Sequence, residues 1–391
     1  MMKRRDFLKY SLVLPTVAGT GLELLSLPTH AATGRWDRTV VLVELKGGND
    51  GLNTIVPYTD QKYYDIRPTL AIPRDKVLKQ TDKLGFNPAF APLMPLWEAK
   101  QMAVVLGVGY PNPNLSHFRG INIWNSASDA ETFVDNGWIT QLFDESKPSR
   151  NFAADGINLA NNPAGAVEGG KSRVITLEKK PDKLLRQAGR IQPGSDPMSN
   201  NVMSHILKQR RDLRGAADNI IAKQIENVNL GGKFSASKLG VQFETAARLL
   251  VAGVKVPVIK LTIGKFDTHA GQEPLHANLL GDVAANVSAF AELMKAKSLW
   301  DNVTVMSYSE FGRRPFENNS SGTDHGTVAP HFLFGGKVKG GFYGEQSPLD
   351  DLDNQNLKYR VHFREIYASV AREWWGLNAG FFKEKPLGLF S

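Results

Sequence analysis

Six apolar runs of strand length punctuate the chain: TVVLVEL (39–45), MAVVLGVGY (102–110), RVITL (173–177), VPVIKLTIG (256–264), NVTVMSYS (302–309) and HFLFGG (331–336). Most are β-branched and almost unbroken rather than alternating, which is how strands covered on both faces read. Amphipathic helical patterns lie between them. In 273–300, Leu279, Leu280, Val283, Val287, Phe290 and Met294 recur at three- and four-residue steps, and 237–252 closes at Gly253. Strand, helix and strand at such intervals predict an α/β fold: a mainly parallel central sheet with helices on both faces. Residues 183–236 are polar, with a loop at 192–201 and an amphipathic stretch at 203–228, and read as a helical insertion or cap. The segment 361–377 reads as a last helix in which Trp374 and Trp375 pack. With 391 residues, 42% hydrophobic, no internal repeat and no low-complexity linker, residues 32–391 are expected to form one elaborated domain.

In an open parallel sheet, ligands bind in the crevice beyond the carboxyl ends of the strands. The polar clusters of this chain fall at those ends. The first run leads into KGGNDGLN, with Asp50 on a Gly-rich turn. The run 256–264 leads into DTHAGQ, with Asp267 and His269. The run 302–309 leads into EFGRR, with Glu310, Arg313 and Arg314, and GTDHG follows with Asp324 and His325. Alone, each has an ordinary explanation: a turn, a helix cap, a salt bridge that pins a loop. Together they predict a common site. Asp, Glu and His without Cys suit a divalent metal such as Zn, Mn, Mg or Ca. The arginines could instead neutralise the carboxylates or bind an oxyanion. Gly322 and Gly326 flank Asp324 and His325 and permit a tight return of the backbone. Ser116, after two prolines in YPNPNLSHF, stands where a helix N-cap belongs; it is either that cap or a nucleophile beside a helix N-terminus. His117 is expected to point elsewhere on that helix.

The N-terminus is basic first (Lys3, Arg4, Arg5, Lys9), then mildly apolar, and ends in THAA. KRRDFLK resembles a twin-arginine export signal, so residues 1–31 are expected to be removed after passage through the twin-arginine translocase. The mature protein would then be periplasmic or secreted, and zero cysteines is compatible with an oxidising compartment. No run is long enough for a spanning helix. The net charge of +8 comes without a basic run interleaved with aromatics, so nucleic acid is a poor partner.

Taken together, VVLVELKGGNDGLNTIVPY, GVGYPNPNLSHFRGINIW, GKFDTHAGQ, SEFGRRPFENNSSGTDHG and GGKVKGGFYG resemble the family of domains of unknown function numbered 1501, in order from about residue 39 to 375. That family in turn resembles a distant branch of the alkaline phosphatase and sulfatase superfamily, which implies a metal site beside a Ser, Thr or formylglycine nucleophile. The resemblance implies Ser116 as nucleophile and Asp50, Asp267, His269, Glu310, Asp324 and His325 as metal ligands. Arg313 would hold an oxygen of a phosphate or sulfate ester. Phe311 stands where a ligand histidine is expected and cannot bind metal, so His325 replaces it or one metal position is lost. A Cys/Ser-x-Pro-x-Arg motif is absent, which argues against formylglycine chemistry. The implied function is metal-dependent hydrolysis of phosphate or sulfate esters; the alternative is a non-catalytic periplasmic binding or assembly protein that retains the fold.

Overall fold

Near-continuous apolar strands require cover on both faces, and the chain supplies it. The computed structural model describes residues 34–148, 151–177, 211–212, 214–218, 220, 225, 228–231 and 233–391. The export signal expected at 1–31 and most of the cap expected at 183–236 lie outside the described residues. Nine strands among those described form one sheet: β1 (Thr39–Leu45), β2 (Met102–Gly109), β3 (Gly156–Asn158), β4 (Val174–Thr176), β5 (Val258–Ile263), β6 (Val303–Tyr308), β7 (Ala329–Gly335), β8 (Gly341–Tyr343) and β9 (Val361–His362). The order across the sheet is β8-β2-β7-β6-β1-β5-β3-β4, with β9 also against β2.

All the pairings are parallel except those of β7, which runs antiparallel to both β2 and β6. The reason lies in the connection. A parallel return needs a crossover of a dozen or more residues, usually a helix. Residues 309–328 between β6 and β7 contain no helix, so the chain turns back at the edge where it emerged. The polar loop is thereby held at the carboxyl ends of β1, β2, β5 and β6.

The α-helices whose bounds fall within the described residues are α1 (Gln61–Ile66), α2 (Met94–Glu98), α3 (His117–Ser126), α4 (Trp138–Ser146), α5 (Lys238–Val251), α6 (Gln272–Ala296) and α7 (Phe363–Ser369). Alternate residues of β1 enter two cores. Val41, Val43 and Leu45 join Phe243 of α5 and Leu280, Val287 and Phe290 of α6. Val40 and Leu42 join Trp124 of α3, Ile139 of α4 and Tyr367 of α7. Burying a side chain of this size contributes about 1.5–3 kcal/mol, so each strand is held from both sides. The Ser237 hydroxyl accepts from Gly240 N to open α5. The sequence pattern carries α6 on to 300, but the helix ends at Ala296, and Ser298 adopts φ 56°. α7 is opened by a reciprocal cap between His362 and Glu365 and continues as a wider turn to Trp374; Trp374 and Trp375 are both fully buried.

Two buried histidines, His276 and His331, and the half-buried His362 are disfavoured as cations in this framework. Desolvation lowers His276 and His362 to about 4 and His331 to about 3, from 6.5. His331 lies on β7 against the Trp124 ring, and neither of its ring nitrogens has a hydrogen-bond partner. Between pH 6.5 and about 4 the unfolded chain therefore binds more protons than the folded one. Stability should fall as pH drops through that window, by up to about 1.4 kcal/mol per pH unit for each titrating group. Urea unfolding at pH 7 and pH 5 measures the slope. His331→Phe should flatten it and add about 1–3 kcal/mol at pH 7, because it removes unpaired buried polar atoms; an unchanged slope would mean that His331 is not buried neutral.

Candidate metal centre

Four chain segments leave the sheet at one edge, and one side chain ties three of them together. Arg313, fully buried, donates through Nε to Gly48 O (2.9 Å) and through Nη1 to Thr323 O (2.8 Å). Its Nη2 donates to Gly47 O, to Phe266 O (3.0 Å) and to Asp267 Oδ1 (2.6 Å). Gly47 and Gly48, at φ 121° and 84°, bring the turn after β1 so close that a Cβ at Gly47 would strike the Asp267 backbone and one at Gly48 the Phe311 ring. A two-residue antiparallel ladder, Gly312–Arg313 with His325–Gly326, returns the loop after its excursion. Gly322 passes against the His269 backbone with no room for a Cβ.

This framework makes Asp267, His269 and His325 converge. His269 Nε2 lies 3.0 Å and His325 Nε2 3.1 Å from Asp267 Oδ1, and the two Nε2 atoms are 2.9 Å apart. The other nitrogens explain why this matters. His325 Nδ1 faces Leu115 O at 2.9 Å, and His269 Nδ1 faces Asp324 Oδ1 at 3.1 Å. Both partners are acceptors, so in the neutral imidazoles the proton sits on Nδ1 and each Nε2 presents a lone pair. Burial keeps His325 low, and the neighbouring charges of Arg313 and His117 add to that, against the opposing pull of Asp267. Burial also opposes charge on Asp267, but the hydrogen bond from Arg313 and the charges of Arg313 and His117 outweigh it and leave the carboxyl lowered. Three lone-pair donors thus meet with no proton to share among them. Ligands bound at about 2.0–2.2 Å to one ion stand roughly 3 Å apart, so the donor set fits a divalent metal. Asp324 is the outer partner that orients His269, held in turn by Asn318 Nδ2 (3.2 Å). The cluster is open to solvent, with Asp267 and His269 42% and 45% exposed.

His117, the first residue of α3, is the member that sequence reasoning missed. Its Nδ1 is 2.8 Å from Glu310 Oε1 and its Nε2 3.3 Å from Asp267 Oδ2. The Glu310 hydrogen bond, with the charges of Glu310 and Asp267, raises its pKa against the cost of burial. Ligand atoms of His117, Asp267 and His325 also lie within 4.8 Å of one another. His117 is nonetheless the poorer ligand, because both of its nitrogens face carboxylates, which favour the protonated ring. The available signal was position: α3 begins just beyond β2, at the same sheet edge as the other clusters.

Besides Asp324, three expected site residues take other roles. Asp50 is fully buried and committed to structure: Oδ2 pairs with Arg67 Nη1 at 2.6 Å and accepts from Gln272, while Oδ1 accepts from Leu52 N. Burial opposes its charge, yet Arg67 and Gln272 leave its pKa lowered, and no lone pair turns to the cluster. Glu310 Oε1 accepts from Gly47 N (2.8 Å) and faces His117, so Glu310 meets the cluster through His117. All three guanidinium nitrogens of Arg313 donate to protein acceptors, so it is a structural clamp rather than a free cation for an ester oxygen. In its neighbour Arg314, Nη1 reaches Gln355 Oε1 at 3.3 Å, and Nε is buried without a hydrogen-bond partner. Phe311 packs its ring on His325 and His117, with centroids 4.5 and 4.9 Å apart. Ser116 occupies the N-cap position of α3 but makes no side-chain cap bond, and it is exposed between Leu115 and His117.

Among solved structures, the chain has distant likenesses to three bacterial proteins. A lipoteichoic acid synthase from Listeria monocytogenes is 10% identical over 90% of this chain and 74% of that one, with a TM-score of 0.40. A sulfatase from Pseudoalteromonas sp. is 10% identical over 90% and 70%, with a TM-score of 0.39. A protein in the alkaline phosphatase superfamily from Vibrio parahaemolyticus is 12% identical over 79% and 62%, with a TM-score of 0.36. No curated protein matches the chain by sequence. The family described as "Protein of unknown function (DUF1501)" matches residues 103–377. That match covers more than half of the chain, which therefore belongs to the DUF1501 family.

Proposed function

We propose that this protein is a metal-dependent hydrolase of phosphate or sulfate esters, exported through the twin-arginine translocase and active in the periplasm or outside the cell. One observation carries the reading: the lone pairs of His269 Nε2, His325 Nε2 and Asp267 Oδ1 converge while both Nδ1 atoms are held by acceptors. Two imidazoles and one carboxylate favour Zn or Mn over Mg or Ca, which prefer all-oxygen sites. Such an ion supplies Lewis-acid polarisation of an ester oxygen.

The remaining roles belong to the chain's own side chains. Ser116 is the nucleophile: its hydroxyl is free of the capping bond, and the N-terminal end of the ten-residue α3 favours developing negative charge beside it. His117 holds a proton on each nitrogen, with Nδ1 anchored on Glu310; the Nε2 proton is the one available to a leaving-group oxygen. Arg314, whose Nη1 reaches only Gln355 Oε1 at 3.3 Å, is the cation offered to a non-bridging oxygen. A non-catalytic binding protein remains the second reading, favoured by the engagement of all three Arg313 guanidinium nitrogens with protein acceptors. Turnover of chromogenic phosphate and sulfate esters separates the two.

Elemental analysis of the purified mature chain should find divalent metal, and chelation should lower its melting temperature. His325→Ala should lower the metal content, whereas Ser116→Ala should keep the metal and lose turnover. Asp324→Asn, which weakens the orientation of His269, should cost about 10–100-fold in metal affinity. Near-zero metal with no thermal shift on adding Zn or Mn would refute the metal centre.

Export has its own test. Replacing Arg4 and Arg5 with Lys should strand the chain in the cytoplasm, because the translocase receptor reads that pair. An unchanged periplasmic yield would point to another route.

A further inference from the structure

Two threonines stand among the metal-cluster residues in sequence. Thr268 separates Asp267 from His269, and Thr323 comes just before Asp324 and His325. Asp267, His269 and Asp324 are exposed, whereas both threonines are buried. Their hydroxyls end on one atom. Thr268 Oγ1 donates to Gln272 Oε1 at 2.9 Å, and Thr323 Oγ1 donates to the same oxygen at 2.6 Å.

Gln272 lies at the start of α6 and is fully buried. Its Nε2 donates to Asp50 Oδ2 (2.5 Å), the oxygen that also accepts from Arg67 Nη1. These partners fix every proton. Arg67 helps to keep Asp50 ionised, and a carboxylate can only accept, so the amide nitrogen faces Asp50. The amide oxygen can only accept too, so both hydroxyl protons turn to it. The backbone repeats the junction: Thr323 N donates to Thr268 O (3.0 Å) and Gln272 N to Ser321 O (2.8 Å). Arg313 joins the same loops at their carbonyls, and Gln272 joins them at side chains next to Asp267, His269 and Asp324.

A leucine would fill this space without the cost of burying an amide, but it would leave two buried hydroxyls without their acceptor and the loop spacing without a fixed point. That spacing is what a metal demands. His269 Nε2 and His325 Nε2 arrive on different loops and stand 2.9 Å apart, and metal–ligand distances hold to within about 0.2 Å.

We propose that Gln272 is the positioning residue of the metal centre. Its amide oxygen, shared by Thr268 and Thr323, holds the Asp267–His269 loop and the Asp324–His325 loop at the separation that one ion requires. Asp50 and Arg67 aim the amide, so Asp50 serves the centre without ligating in it. The proposal rests on the metal-centre reading for the ion.

Metal titration of the purified mature chain, first stripped with a chelator, decides the matter. Zn²⁺ affinity is measured by competition with a chromogenic chelator, and the visible absorption of bound Co²⁺ reports the geometry of its ligands. Gln272→Leu should weaken Zn²⁺ binding about 10–100-fold and change the Co²⁺ spectrum. Thr268→Val and Thr323→Val should each reproduce part of that loss, and Thr268→Ser and Thr323→Ser, which keep the hydroxyl, should retain most of the affinity. Adding Thr323→Val to Gln272→Leu should cost less than the product of the two single effects, because both remove one hydrogen bond. The threonine variants carry the test if Gln272→Leu fails to fold. An unaltered chain that binds neither ion would refute the metal centre, and the role of Gln272 with it. Binding by the unaltered chain that Gln272→Leu and the valine variants leave unchanged, or a loss that serine does not spare, would overturn the positioning role and leave the centre standing.

Discussion

The guanidinium of Arg313 is the interaction on which the site depends. Removing such a cation from water costs several kcal/mol, recovered only when every donor finds an acceptor in good geometry. Here the acceptors are the carbonyls of Gly47, Gly48, Phe266 and Thr323 and the carboxylate of Asp267. They belong to the segment after β1, the segment after β5 and the returning loop after β6. Sheet topology brings these segments to one edge, and Arg313 fixes their separation. Lysine could not substitute, because one ammonium cannot address carbonyls spread around a planar fork. The same residue aims Asp267: with Nη2 2.6 Å from Oδ1, that oxygen is held where both His269 Nε2 and His325 Nε2 reach it.

What the sequence reveals and what it hides follow from the range of the interactions involved. The apolar runs at 39–45, 102–110, 256–264 and 302–309 become strands, because burial on both faces is a local property of β-branched residues. The direction of β7 was hidden, since it depends on the absence of a helix between 309 and 328 rather than on any residue within the strand. Asp267, His269, Asp324 and His325 could be grouped because each lies just past a strand end or between glycines. Arg313 and Asp50 misled for one reason: a charged residue in a polar loop reads the same whether it faces solvent or a buried partner. The partner of Asp50, Arg67, follows α1 in a stretch with no periodic pattern, and the acceptors of Arg313 are backbone carbonyls that leave no trace in composition. His117 was hidden because its direction depends on where α3 starts relative to Glu310, nearly two hundred residues away.

Charge balance connects this scaffold to the proposed chemistry. Asp267, Glu310 and Asp324 bring three carboxylates to the cluster, against which stand Arg313 and His117. His269 and His325 add lone pairs to it. Left so, the centre carries a net negative charge and would repel an anionic ester. One divalent cation on the three converging donors would reverse the sign, since a bound ion is the largest local charge in such a site. Arg314 would then extend the positive region toward the turn at Gln355. A phosphate or sulfate group would be drawn to the cluster. The proposed in-line attack by Ser116 depends on that reversal of sign, because an anionic ester would otherwise have to approach beside three carboxylates.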